Sequence, residues 1–229
     1  MPPYVTVGFL DMVALGVERA GGQFTQDDLE KVLAVVYGPD RMASMVLNRY
    51  PQMPFIMLYS ETIAEAVLAH FFGLHHIAVG GLIPVIEGAG RRLAGDRGLN
   101  EDGYTKDVFR DLAGYAKDDV IKRRIGATNE IVEMLDSFYQ FIENYFYANS
   151  QAYPLVDGTN RHGIAHGAYT DSEYGRPLNF YKTIAAIDFL TFISSLETTT
   201  MSGFVPDDTP ESTSLAARYV AMGNMSKGQ

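Results

Sequence analysis

Asn129–Tyr147 reads NEIVEMLDSFYQFIENYFY, and its apolar residues recur every three or four positions. Ile131, Leu135, Phe138, Ile142 and Phe146 form one stripe, with Met134 and Phe141 beside it. A period close to 3.6 belongs to an α-helix with one face against a core, whereas a half-buried strand alternates every two residues. The spacing predicts an amphipathic helix. Its aromatics read as core, not as a stacking platform for nucleic-acid bases.

The same period extends in both directions. Thr105–Tyr147 reads as a long helical stretch broken near Gly126. Upstream, TQDDLEKVLAVVYGPD (25–40) pairs Thr25 with Asp28 as a capping-box-like start. Leu29, Val32, Leu33, Val36 and Tyr37 follow at helical spacing, and Gly38–Pro39 is a stop signal. A helix starting at Ser60 carries Glu61 near its positive end. Glu87 and Arg91 stand at i, i+4, where they can pair on a helix surface. Downstream, 148–160 and 167–177 read as polar loops, and LNFYKTIAAIDFLTFISSLE (178–197) as a strong apolar helix starting at Asn179. The tail carries one short helix around 214–222. No run alternates at period two over a convincing length. The expectation is an all-α helical bundle, with an N-terminal helical segment (1–58), the bundle proper (59–200) and a C-terminal tail (201–229).

Composition bounds the chemistry. A chain of 229 residues, 47% hydrophobic and 20% charged, can bury a sizeable core. It contains no cysteine, which excludes disulfides, thiolate metal sites and a cysteine nucleophile. The net charge of −10 argues against broad electrostatic binding to DNA or anionic lipid, though not against one local basic pocket. No signal peptide is read at the start, and a cytoplasmic location is expected. Residues 66–86 lack Asp, Glu, Lys and Arg and could span a bilayer by length. His70, His75, His76, Gly80, Gly81 and Pro84 interrupt them, so two core helices joined near Gly80–Gly81 are expected instead.

One segment concentrates reactive side chains: DGTNRHGIAHG, residues 157–167. His162 and His166 are i, i+4 and share a face if helical, with Asn160 or Thr159 as the cap and Arg161 in the first turn. Gly163 and Gly167 would leave the local surface bare for a substrate. An imidazole can exchange protons near neutral pH, and a guanidinium can hold a phosphate bidentately. Those are two of the parts that metal-independent RNA cleavage requires. Two other readings stand beside this one. The segment can be a helix start with a hydrogen-bonded histidine, or half of an H-x-x-x-H zinc site. Against zinc, Gly163 stands where the H-E-x-x-H glutamate would be, and a third ligand would have to come from Asp171 or Glu173.

The order Asn160, Arg161, His162, His166, followed by a polar loop and an apolar helix, resembles the R-x4–6-H motif of the HEPN superfamily. It is most similar to bacterial HEPN proteins that carry an NRHxIxHG box followed by a helix like LNFYKTIAAIDFL. Ile83–Arg91, IPVIEGAGR, also resembles their upstream IPxIExxxR segment. Together these cover roughly residues 60–197. The resemblance implies an all-α bundle, a homodimer whose paired motifs face one cleft, and a metal-independent endoribonuclease activity without cofactor. Arg161 and His166 match the catalytic pair, His162 the polar position after the arginine, and Asn160 the extended box. It gives Glu87 and Arg91 no catalytic role, which leaves them as a helix–helix ion pair. Related toxins imply a toxin–antitoxin or anti-phage setting with a neutralising partner protein.

Three further groups are singled out. Asp188 interrupts an apolar helix, where an unpaired carboxylate is expensive to bury, and could pair with Arg161, Arg176 or Lys182. Lys122, Arg123 and Arg124 form a solvated helix face or, if RNA binds, contact its backbone. His70, His75 and His76 read as hydrogen-bonded core or interface histidines. The alternative to an endoribonuclease is a non-catalytic HEPN-type module that binds a nucleotide or serves as a dimerisation scaffold.

Overall fold

Stop signals and apolar stripes resolve into ten α-helices in the computed structural model, which describes residues 7–196 and 204–226. They are α1 (Val7–Arg19), α2 (Gln26–Val36), α3 (Pro39–Ser44), α4 (Ser60–Phe71), α5 (His75–Asp96), α6 (Thr105–Arg123), α7 (Thr128–Phe141), α8 (Arg161–Ala165), α9 (Pro177–Ser195) and α10 (Pro210–Ser226). No strand occurs among the described residues. The first six residues and the expected boundary at 200/201 lie outside them.

Local signals act as their chemistry dictates. Thr25 and Asp28 exchange bonds as a full capping box at α2, and Pro39 opens α3. The break near Gly126 separates α6 from α7, with Arg124 and Gly126 both at positive φ. The break expected at Gly80–Gly81 falls instead at Gly73, whose φ is 85°. Gly80, Gly81 and Pro84 all lie inside α5. Pro84 removes the bond to the carbonyl of Gly80, but both residues face solvent, where water can take its place. Gly81 faces α4, with Thr62 and Ala66 side chains 3.9 Å from where its Cβ would stand, an ordinary contact. No described helix is long and apolar enough to cross a membrane.

α5 is the central element, packed by α4, α6 and α9. Gly90 of α5 leaves a bare spot that the Phe109 ring of α6 fills. α9 is buried almost all round, as a helix apolar on every face must be, with α2, α5 and α7 against it. α10 closes the far side on α3 and α4, where Tyr219 stacks on Phe71 at 4.5 Å between centroids. It starts four residues before the expected 214, because Thr209 and Ser212 exchange side-chain-to-backbone bonds ahead of it. One apolar core runs from Leu33 to Tyr219 through all these helices.

The opening stripe is helical to Phe141 and then widens into a π turn, Ile142–Phe146, in which the Tyr147 amide reaches the Ile142 carbonyl at 3.0 Å. Leu135, Phe138, Ile142 and Phe146 are buried as their spacing predicts. The extra residue in the turn buries Tyr147 as well.

Candidate functional site

α8 is only five residues long, so its orientation depends on what holds its ends. Asn160, fully buried, does most of this. Its Oδ1 accepts the Gly163 amide at 2.8 Å as the N-cap, while its Nδ2 donates to the carbonyls of Tyr145 at 2.8 Å and Ala148 at 2.9 Å. One side chain thus fastens α8 to the end of the π turn. The preceding loop is anchored to α9. Buried Asp157 accepts from Lys182 at 2.8 Å, from Tyr153 at 3.0 Å and from Thr159. Asn179 donates to the Asp157 carbonyl at 2.5 Å and the Thr159 hydroxyl at 2.9 Å. Burial lowers the Lys182 pKa, opposed by the Asp157 carboxylate.

On this base the Arg161 guanidinium forms a hub. Nε donates to Glu87 Oε1 at 2.5 Å and Nη2 reaches Oε2 at 3.4 Å, so the carboxylate grips one edge. From the other edge, Nη1 points to His166 Nε2 at 2.9 Å and His162 Nδ1 at 3.3 Å. A guanidinium can only donate, so both of those ring nitrogens accept and carry no proton. Each imidazole proton then sits on the opposite nitrogen, Nδ1 of His166 and Nε2 of His162. The rings lie parallel, 5.8 Å apart. Burial lowers the His162 pKa, helped by Arg161 and then His166. Tyr147 donates to Glu87 Oε1 at 3.2 Å, and burial followed by the Glu87 charge raises its pKa. Arg161 and Glu87 are each about one-fifth exposed (21% and 21%), and His166 is open to solvent.

The structure therefore brings Asn160, Arg161, His162 and His166 together. A cation occupies the space between the two imidazoles, which is where a bridging metal would have to sit. Asp171 meets His76 of α5 through its carbonyl at 3.0 Å, and Glu173 caps the Thr170 amide at 2.7 Å, so each of these suggested ligands is engaged away from the His162–His166 pair. The bare surface expected at Gly163 is filled, because the Tyr169 ring packs against it. His70 and His75 face each other through their Nδ1 atoms at 3.1 Å, and His70 stacks on Phe180 at 3.8 Å.

Asp188 does not pair with Arg161. It accepts the hydroxyls of Tyr37 at 3.0 Å and Tyr50 at 2.9 Å. Nine residues separate it from Asn179, which at about 100° per residue puts it on the opposite face of α9. Nor do Lys122, Arg123 and Arg124 adjoin the pair. Phe109 of α6 lies beside Tyr147, with ring centroids 5.9 Å apart, and Lys122 stands about 20 Å further along that helix. Arg123 is engaged by Asp119 at 2.9 Å and the Leu196 carbonyl at 2.7 Å.

Glu87 is an ion-pairing residue between helices, but its partner is Arg161 and not Arg91. Arg91 instead holds the α5–α6 loop through the Glu101 and Gly103 carbonyls and the Thr105 hydroxyl. Sequence reasoning did not assign roles to Tyr147, Asp157 or Asn179. For Glu87, a signal was present in the IPVIEGAGR segment upstream of the histidine box. Fold and site define an all-α protein with an arginine–histidine hub at its surface. No protein-family model, curated protein or solved structure matches this chain.

Proposed function

We propose that the chain is a metal-independent endoribonuclease of HEPN type, with His166 as the proton-transfer group and Arg161 as the phosphate clamp. The observation that carries this reading is the Arg161 guanidinium, held by Glu87 against two unprotonated imidazole nitrogens, one of them on solvent-exposed His166. A phosphodiester that takes the Nη1 donors of Arg161 releases His166 Nε2 from its partner. That nitrogen then accepts the proton of the 2′-hydroxyl as the 2′-oxygen attacks phosphorus, the P–O5′ bond breaks, and the departing 5′-oxygen takes a proton from solvent water. The products are a 2′,3′-cyclic phosphate and a 5′-hydroxyl. Arg161 stabilises the charge that builds on the phosphoryl oxygens, and His162 supports the arginine. Lys122 and Arg124, exposed at the end of α6, are candidate contacts for a longer strand. A homodimer with paired motifs, a neutralising protein partner in a toxin–antitoxin or anti-phage setting and a cytoplasmic location belong to the same reading.

A second reading, a nucleotide-binding or scaffold module without catalysis, is favoured by one observation: Glu87 neutralises Arg161 in a chain of net charge −10. Incubating the protein with RNA in EDTA separates the two. Cleavage that disappears in His166→Ala supports the ribonuclease, whereas no cleavage, or cleavage unchanged by that substitution, sinks it.

A further inference from the structure

α1 is under-supported by its own chain. From Phe9 to Arg19 no side chain is buried: Phe9, Val13 and Val17 border a groove shared with α2, and Met12 and Leu15 are 62% and 52% exposed. A helix of 13 residues is marginal in water without tertiary packing. Exposed apolar surface of this kind, continued across the groove by Phe24 and Val35, marks a contact site.

The charges on this surface identify what covers it. At about 100° per residue, Asp11 and Arg19 stand about 40° to either side of exposed Leu15, one turn before it and one turn after. About 12 Å of helix separates them, too far for them to pair with each other. Neither has a partner among the described residues. A second α1 laid antiparallel, with a two-fold axis through Leu15, sets each Asp11 opposite the partner's Arg19. In a parallel arrangement like charge would meet like. Two copies of a chain of net charge −10 repel over most of their surface, whereas here opposite charges meet across the contact. We propose that α1 is a self-association surface, packed antiparallel against α1 of a second copy. Leu15 meets the partner's Leu15, flanked by two ion pairs from Asp11 to the partner's Arg19. Met12 then lies against the aliphatic stem of the partner's Glu18. The inference does not rest on the ribonuclease reading, whose homodimer pairs the Arg161 faces.

Sedimentation equilibrium of the full chain at low salt, from about 5 to about 500 µM, tests the contact. A helix about 20 Å long covers less than the roughly 1,200 Å² of a standard interface, so a reversible dimer with Kd of about 10–100 µM is expected. Leu15→Glu should raise Kd about tenfold or more, because it sets two carboxylates against each other on the axis. Asp11→Arg should raise it about fivefold by opposing cation to cation, and adding Arg19→Asp should return it to within about twofold of the wild type. All three positions are exposed, so helicity should stay unchanged. No association at the highest concentration, a Kd unmoved by Leu15→Glu, or a double reversal that fails to restore the dimer would each overturn the proposal. A dimer joined through the Arg161 faces survives Leu15→Glu, and no RNA is involved, so failure here is distinct from failure of the cleavage assay.

Discussion

At the residue scale, the site depends on one buried amide more than on its reactive groups. Asn160 caps α8 and donates to two carbonyls at the end of the π turn, so Asn160→Ala removes three hydrogen bonds, among them the one that satisfies the amide of buried Gly163. A loss of about 2–4 kcal/mol is expected, measured by urea denaturation. Loss under 0.5 kcal/mol would show that α8 is held by other means. His70 supplies a pH dependence of known sign. Burial, reinforced by the neighbouring His75, lowers its pKa from 6.5 in the unfolded chain to about 3 in the fold. Below pH 6.5 the unfolded chain therefore binds a proton that the folded chain refuses. The stability is complete above that pH and falls progressively as pH drops toward 3. His70→Phe keeps the stack on Phe180 and cannot titrate, so its Tm should decline less than the wild type between pH 7 and pH 4. Parallel declines would contradict the assignment. The arginine–histidine order was legible in the sequence because it is local. The Glu87–Arg161 pair was not, because it joins residues 74 apart and exists only once α5 and α8 pack together.

At the element scale, period and punctuation carried most of the information. The stripe of Asn129–Tyr147, the capping box at Thr25 and the stops at Gly38–Pro39 and Gly126 each read correctly, since each acts within a turn or two of itself. The errors come from tertiary context. Gly80 and Gly81 look like a break, yet α5 runs through them, while Gly90 further along is a contact point for the Phe109 ring of α6. The π turn has no stripe of its own, since one extra residue preserves burial on both sides of it. Gly90→Ala tests the contact-point account: its new Cβ would stand 2.5 Å from Cζ of the buried Phe109 ring. Helix propensity alone would make the change favourable by up to about 1 kcal/mol. The clash should win, with a net loss of about 1–3 kcal/mol by chemical denaturation. A gain in stability would mean that α6 yields freely and that the glycine is not a packing requirement.

At the scale of the whole molecule, a single core leaves the Arg161 hub on the surface of a rigid frame. Asp188, with its tyrosine partners, and the basic end of α6 lie elsewhere in that frame. Two forces oppose each other there. The acidic chain and the Glu87 carboxylate weaken long-range attraction for RNA, while the role proposed for Arg161 is to hold one phosphodiester at short range. Weak binding with measurable turnover is therefore expected, at rates that fall as salt screens the remaining attraction. The proposed ribonuclease activity requires Arg161 and His166 to act as one catalytic unit. The most direct measurement is single-turnover cleavage of a labelled single-stranded RNA in EDTA, with analysis of the product ends, for the wild type, Arg161→Lys and His166→Ala. Wild-type protein should leave 2′,3′-cyclic phosphate and 5′-hydroxyl ends. Losses of about 10²-fold or more are expected in both variants with unchanged helicity, since lysine lacks the planar fork that grips both Glu87 oxygens while reaching the imidazoles. Wild-type protein that leaves RNA intact, or variants that cleave at the wild-type rate, would contradict it.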